Sequence, residues 1–320
     1  LAVTDVAETE LNQLQRLCKN IGLAVRGKDE VIRLAVTGLL AEGHLLIEDI
    51  PGVGKTTLAR AIARSLDLPM RRIQFTADLL PSDIIGVSIY DEAQGSFVFH
   101  RGPVFHAVVL ADEINRAGPR TQSALLEAMD ERQVTVDNAT YPLPRPFIVL
   151  ATQNPLEVHG TFPLPESQLD RFLLRLGLGY PDADTERALL AARGRKEPVE
   201  SLEPVMRAQD LEVLMDAVDE VHVEPSLVDA LLAIAEATRR HPRIEVGIST
   251  RAALTTLRAT RAHALVEGRR FALPDDLLSV VVPALAHRMR LAGSTSFSGA
   301  LRMEAERLLR EIVAKTPMPQ

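Results

Sequence analysis

Between residues 44 and 151 the chain alternates short, almost unbroken apolar runs with stretches whose apolar residues recur every three or four positions. The runs fall at residues 45–47, 73–75, 108–110 and 147–151, the length of buried strands. Helix-spaced stretches lie between them at 56–66 and 121–129, and that alternation predicts a mostly parallel sheet flanked by helices. Two further helices are predicted ahead of it, over residues 6–22 and 28–41. Residues 83–105 interrupt the rhythm: Ile89, Phe97 and Phe99 flank a Gln94-Gly95 turn, which predicts an inserted hairpin. A second short hairpin is predicted from 133–136 and 141–146, and insertions of this kind commonly carry partner contacts.

Gly177, Gly179 and Pro181 then break the pattern, and almost everything beyond reads as helix. The expected organisation is an α/β unit over residues 1–181, with inserts at about 83–105 and 133–146, followed by a separate all-α unit over 182–320. Leu227, Val228, Leu231, Leu232 and Ile234 form one expected core face, and Leu277, Leu278, Val281, Val282 and Leu285 another. Pro225 and Pro274 sit where helix starts tolerate proline. With 320 residues, 46% of them hydrophobic, each unit has enough apolar side chains for a core. A net charge of −7 argues against a general nucleic-acid binder, which needs a concentrated basic surface. Cys18 is the single cysteine, so no intramolecular disulfide forms and a reducing compartment suits the chain. There is no apolar run of membrane-spanning length and no secretion signal, so the expected location is the cytoplasm.

The chemistry gathers where the predicted strands end. The run from His44 passes through Asp49 into Pro51-Gly52-Val53-Gly54-Lys55-Thr56-Thr57, a turn whose backbone N–H groups and following helix N-terminus suit a polyphosphate. Lys55 would reach the β/γ-phosphates of ATP or GTP and Thr56 would hold Mg²⁺. Asp49 stands where the full motif has its first glycine, outside the tight curve made by Gly52 and Gly54. The run 108–110 ends in Asp112 and Glu113, suited to orienting Mg²⁺ and polarising the attacking water; solvated acids capping a strand are the plain alternative. The run 147–151 leads to Asn154, whose amide could meet the γ-phosphate or simply form a turn. Three strands delivering polar residues at the same edge fit the rule that open α/β sheets bind ligands there.

These motifs resemble an AAA+ ATPase, and specifically the MoxR family. The resemblance is carried by Ile50-Pro51-Gly52-Val53-Gly54-Lys55-Thr56, by Gln74-Phe75-Thr76 with residues 78–83, and by residues 110–117 and 121–129. It continues through Ala151-Thr152-Gln153-Asn154-Pro155 and Gln168-Leu169-Asp170-Arg171-Phe172. It implies an AAA+ P-loop NTPase core followed by an α-helical lid, with ATP and Mg²⁺ as ligands. It also makes Asn154 sensor 1, Arg171 an arginine finger serving the neighbouring subunit, and Arg251, in Gly247-Ile248-Ser249-Thr250-Arg251, a sensor 2 facing the γ-phosphate from the lid. The implied assembly is a ring, a hexamer in this family, and the implied partners are a von Willebrand factor A domain protein and a client enzyme to be remodelled, activated or loaded with metal.

A salt bridge to Asp170 or another nearby acid is the alternative for Arg171, and a place on a helix surface is the alternative for Arg251. A nucleotide-gated scaffold and a DNA-dependent AAA+ motor are the competing functions. Glu113, Asn154 and Arg171 disfavour the first; net charge and few aromatics disfavour the second. His44, His100, His106 and His159 show no metal-binding spacing, and the Arg239-Arg240 and Arg269-Arg270 pairs are expected near helix ends, where cations suit the dipole.

Overall fold

A computed structural model describes residues 2–155, 160–191, 197–293 and 299–319. Two helices, α1 (Ala2–Ala24) and α2 (Asp29–Leu40), precede strand β1 (His44–Glu48), helix α3 (Lys55–Ser65) and strand β2 (Met70–Gln74). A short helix α4 (Pro81–Ile85) leads into the hairpin β3 (Gly86–Asp91) and β4 (Ser96–Arg101). Strand β5 (Val108–Asp112), helix α5 (Pro119–Glu131), a second hairpin of β6 (Gln133–Val136) and β7 (Ala139–Pro142), and strand β8 (Ile148–Gln153) follow. A turn of helix α6 (Glu166–Leu169) and strand β9 (Phe172–Leu176) close the α/β part.

The five long-range strands form one parallel sheet in the order β2-β5-β8-β1-β9. Strands β1, β5 and β8 are buried along almost their whole length, as their unbroken apolar sequences require. β9 was not among the expected strands, because Arg175 interrupts its apolar run. In the fold that guanidinium is neutralised by Glu48 on β1, at 3.3 Å, and by Glu306. The second hairpin also differs from expectation: its return arm starts at Ala139 and ends at Pro142 instead of occupying 141–146. The two hairpins touch, with Phe99 stacked on Tyr141 at 4.5 Å and Ser88 Oγ donating to Asp137 Oδ2 at 2.9 Å.

Beyond β9 the chain is helical, with α7 (Ala183–Ala191), α8 (Ala208–Ala217), α9 (Pro225–Arg240), α10 (Thr250–Val266), α11 (Pro274–Leu285) and α12 (Gly299–Lys315). The described residues there also hold a two-stranded antiparallel ribbon, β10 (Ile244–Val246) with β11 (Arg290–Leu291). Of the expected core faces, Leu227, Leu231 and Ile234 are buried but Val228 and Leu232 are exposed, and Leu278 turns outward while Leu277, Val281, Val282 and Leu285 face in. Each outward residue follows a buried one directly, about 100° around its helix, so the buried stripe is narrower than the apolar one.

Two apolar clusters sandwich the sheet. One contains Phe75, Ile84, Leu125, Phe147 and Phe172 beneath α4 and α5. The other runs from Leu14 and Ile21 of α1 through α2, α3 and the opposite face of the sheet to Leu231, Val281 and Leu309 of the later helices. None of the described helices is long and apolar enough to cross a membrane.

Candidate functional site

Because every strand of the sheet is parallel, all five C-terminal ends share one edge. β1 ends there in Glu48 and hands the chain to a loop that curves at Gly52 (φ +86°) and Gly54 (φ +99°), left-handed conformations that favour glycine. Gly54 caps α3, so Lys55, Thr56 and Thr57 occupy that helix's first turn, and the positive end of the helix dipole faces the loop. Pro51 and Gly52 are exposed while Val53 through Thr57 are half-buried. The Lys55 ammonium donates to the Asp49 carbonyl at 2.6 Å. The Asp49 carboxylate has its own work, accepting from Ile50 N at 2.8 Å and from Gly179 N at 2.5 Å, which ties the loop to the segment leaving β9.

β5, separated from β1 by β8, ends at the same sheet edge with Asp112, and Glu113 follows in a left-handed conformation (φ +57°) uncommon for a side chain with a Cβ, a kind of strain that clusters at functional sites. Thr152 on β8 organises both acids: its hydroxyl accepts from Glu113 N at 2.9 Å and donates to Asp112 Oδ1 at 2.5 Å. The edge strand β2 supplies the remaining partners. Arg72 donates to Asp112 Oδ2 through Nε at 3.0 Å and a terminal nitrogen at 2.6 Å, and Gln74 Nε2 donates to Glu113 Oε2 at 2.7 Å. Arg116 lies 3.1 Å from the same Glu113 oxygen. Asn154, buried, follows β8 at the same edge. The expected residues of the phosphate loop, Asp112, Glu113 and Asn154 therefore share the C-terminal edge of the sheet.

Arg171 and Arg251 stand elsewhere. Arg171 immediately precedes β9, and Phe172 pairs with His44 at the start of β1, so Arg171 lies at the opposite edge of the sheet, a strand length of about 13 Å away. It reaches across to α5, donating to the Leu126 carbonyl at 3.0 Å and pairing with Asp130 at 2.9 Å. Of the acids offered as the alternative partner, Asp170 or another nearby one, it is Asp130 that Arg171 meets, while Asp170 pairs with Arg288 at 3.4 Å. Arg251 does start a helix, two residues after the Ser249 cap that accepts from Ala252 N at 3.0 Å. Its guanidinium is not turned to the phosphate loop of its own chain; it pairs with the same Asp130 as Arg171. The reason is packing: α10 lies along α2 and the start of β9, which carries Arg251 to the N-terminal edge. A cavity of about 160 Å³ opens here, where Arg132, Arg171, Arg251, Arg258 and Arg288 outnumber Glu42, Asp130 and Asp170, so an anionic group from outside would be attracted.

Thr152, Arg72, Gln74, Asp130 and Arg288 escaped the sequence reading. Gln74 and Thr152 lay within quoted motifs, whereas the roles of Arg72, Asp130 and Arg288 depend on strands and helices distant in sequence. Among the histidines, His44 is buried and bonded at both ring nitrogens, His106 Nδ1 donates to the Pro103 carbonyl at 3.0 Å, His100 is exposed, and His159 lies outside the described residues. Arg269, expected to serve a helix end, instead grips the buried Asp276 carboxylate with both terminal nitrogens at 2.7 Å.

Comparison with known proteins places these features in a family. Residues 44–174 match the ATPase family associated with various cellular activities (AAA), and residues 236–312 match the AAA lid domain. The chain is 44% identical to YeaC of Bacillus subtilis (strain 168), over 96% of this chain and 95% of that one. It is 37% identical to Chaperone MoxR1 of Mycobacterium tuberculosis, over 97% of this chain and 84% of that one, and 34% identical to Protein MoxR of Paracoccus denitrificans, over 84% and 86%. A crystal structure from Cytophaga hutchinsonii described as an ATPase superposes with a TM-score of 0.87 at 33% identity, covering 100% of this chain and 98% of the other.

Proposed function

The chain belongs to the MoxR family of AAA+ ATPases, and from that premise we propose that it hydrolyses ATP in a ring of identical subunits to remodel or activate client proteins. The observation that carries the reading is the meeting of Lys55, Thr56, Asp112, Glu113 and Asn154 at one sheet edge while Arg171 and Arg251 sit at the other. Lys55 exchanges the Asp49 carbonyl for the β/γ-phosphates, and the N–H groups of residues 52–56 surround the same anion. The Thr56 hydroxyl and the Asp112 carboxylate are oxygen donors of the kind Mg²⁺ takes, and the ion supplies neutralisation of phosphate charge. Glu113, aimed by its Thr152 and Gln74 contacts, orients and polarises the attacking water, and Asn154 holds the γ-phosphate.

A site so built lacks cationic help at the γ-phosphate from its own chain's Arg171 and Arg251. Presented together at the far edge, those two residues complete the site of the next subunit in the ring, Arg171 as the finger and Arg251 as a sensor acting across the same boundary. The family resemblance extends the proposal to six subunits and to a von Willebrand factor A domain partner with its client enzyme.

Glu113→Gln is expected to bind ATP normally while steady phosphate release falls by about 10²–10⁴; hydrolysis at the parental rate would sink the reading. For action across the boundary, Lys55→Ala and Arg171→Ala proteins, each inactive alone, should regain hydrolysis when mixed and reassembled, because some intact fingers then meet intact phosphate loops. Capture with the ATP-loaded Glu113→Gln protein tests the partner: recovery of DNA in place of a von Willebrand factor A domain protein would count against it.

A further inference from the structure

Arg171 is flanked by two residues that the helical part of the chain holds directly. After α11 the chain makes a short helical turn, Ala286–Arg288, that places two buried side chains against the start of β9. Arg288, only 9% exposed, donates to the Phe172 carbonyl at 3.0 Å, lies 3.4 Å from Asp170 Oδ1, and donates to Thr255 Oγ1 on α10 at 2.8 Å. His287 Nε2 donates to the same Phe172 carbonyl at 2.9 Å, so both lone pairs of that oxygen are taken. Thr255 is one helical turn from Arg251 and on the same face. One guanidinium thus connects the residue before Arg171, the residue after it, and the helix that carries Arg251.

Stability alone is a poor reason for this arrangement. Burying a guanidinium carries a desolvation cost that ion pairing only about repays, and apolar replacements of buried pairs are often as stable. Burial, with Arg251 nearby, lowers the Arg288 pKa to about 10 against the opposing pull of Asp170, so the group stays charged at neutral pH. What a planar fork supplies and an apolar side chain cannot is direction, fixed at several points at once.

We propose that Arg288 is a positioning residue for the arginine finger, fixing the backbone on both sides of Arg171 and the helix bearing Arg251 so that the two guanidinium groups reach the neighbouring subunit's nucleotide as one unit. This rests on the reading that Arg171 completes the neighbour's site. The sensitivity is steep, since a displacement of about 1 Å can cost 10²-fold in rate. It also makes the helical part of each subunit a determinant of turnover next door.

The test uses the full-length assembled protein with four variants: Arg288→Met, Arg288→Lys, Arg171→Ala and the double variant Arg171→Ala/Arg288→Met. Phosphate release, ATP affinity, assembly mass by light scattering and melting temperature are measured for each. Arg171→Ala should lose about 10³-fold or more in kcat. Arg288→Met should lose about 10–100-fold in kcat with ATP affinity and assembly mass unchanged, and the double variant should be no slower than Arg171→Ala, because there is no finger left to misplace. Should Arg288→Met fail to fold, Arg288→Lys keeps the charge without the fork, and the same loss of kcat is expected from it. A double variant slowed by the product of the two single effects, or full kcat in a folded Arg288 variant, overturns the proposal alone. Parental turnover in Arg171→Ala overturns the reading beneath it, and the proposal with it.

Discussion

At the first position of β1, His44 is fully enclosed and uses both ring nitrogens: Nδ1 accepts from Val149 N at 3.0 Å, so the proton sits on Nε2, which donates to the Met129 carbonyl at 3.1 Å. Burial pushes its pKa down to about 4, and His287 is lowered by the same cause. An unfolded histidine titrates near 6.5, so between pH 6.5 and 4 the unfolded chain binds a proton that the folded chain refuses. The stability from His44 is therefore complete above pH 6.5 and is lost as pH falls toward 4, by on the order of 3 kcal/mol. Melting temperatures from pH 7.5 to 5 should fall less steeply in His44→Asn, whose carboxamide oxygen can still accept from Val149 N; an identical slope would remove His44 as the cause. Thr152 makes a second case: Thr152→Val keeps the shape but deletes the hydroxyl between Asp112 and Glu113, and kcat should drop about tenfold or more with little change in melting temperature. Such residues were legible only in part. Lys55, Asp112 and Glu113 announce their chemistry by type and spacing, whereas a threonine or buried histidine acquires its role from what the fold brings beside it.

The elements show where local pattern suffices. β1, β5 and β8 were readable because a strand buried on both faces must be apolar throughout, and the hairpins because a turn sits between β-prone arms. β9 was hidden by Arg175, whose counter-charges Glu48 and Glu306 come from elements 127 and 131 residues away. The phosphate loop adds an element-level consequence of its irregular first position. Asp49 anchors the loop to Gly179, while Glu48 just before it is gripped by Arg302 of α12, so this start of the loop is tied twice to the chain beyond β9. Asp49→Gly, which restores the regular motif, should release Gly179 N–H. Hydrogen exchange at the Gly179 amide should quicken about fivefold to tenfold, the effect of losing one partly exposed charge-assisted bond worth about 1 kcal/mol. Unchanged protection there would mean that the carboxylate is not the anchor.

Taken together, the molecule joins what the sequence divides. We propose a change of architecture at residues 181 and 182, yet the larger apolar cluster passes from α1 and α2 beneath the sheet into α9, α10, α11 and α12 without a break. Polar ties cross at both edges of the sheet: Arg302 to Glu48 at one, His287 and Arg288 to the Phe172 carbonyl at the other. No local periodicity reveals such a fit, because it depends on helices far apart in sequence packing on the same sheet. That is also why Arg251 was legible as a helix-start arginine but not as a neighbour of Arg171. The consequence is cooperative: the helical part and the α/β part should unfold together. The full chain is expected to unfold in a single calorimetric transition, and residues 1–181 made alone should lack a cooperative one, because the α2 face that meets α10 would be left bare. Two resolved transitions in the intact chain, with the first matching the melting of a stable 1–181 fragment, would show that the shared core does not bind the halves together.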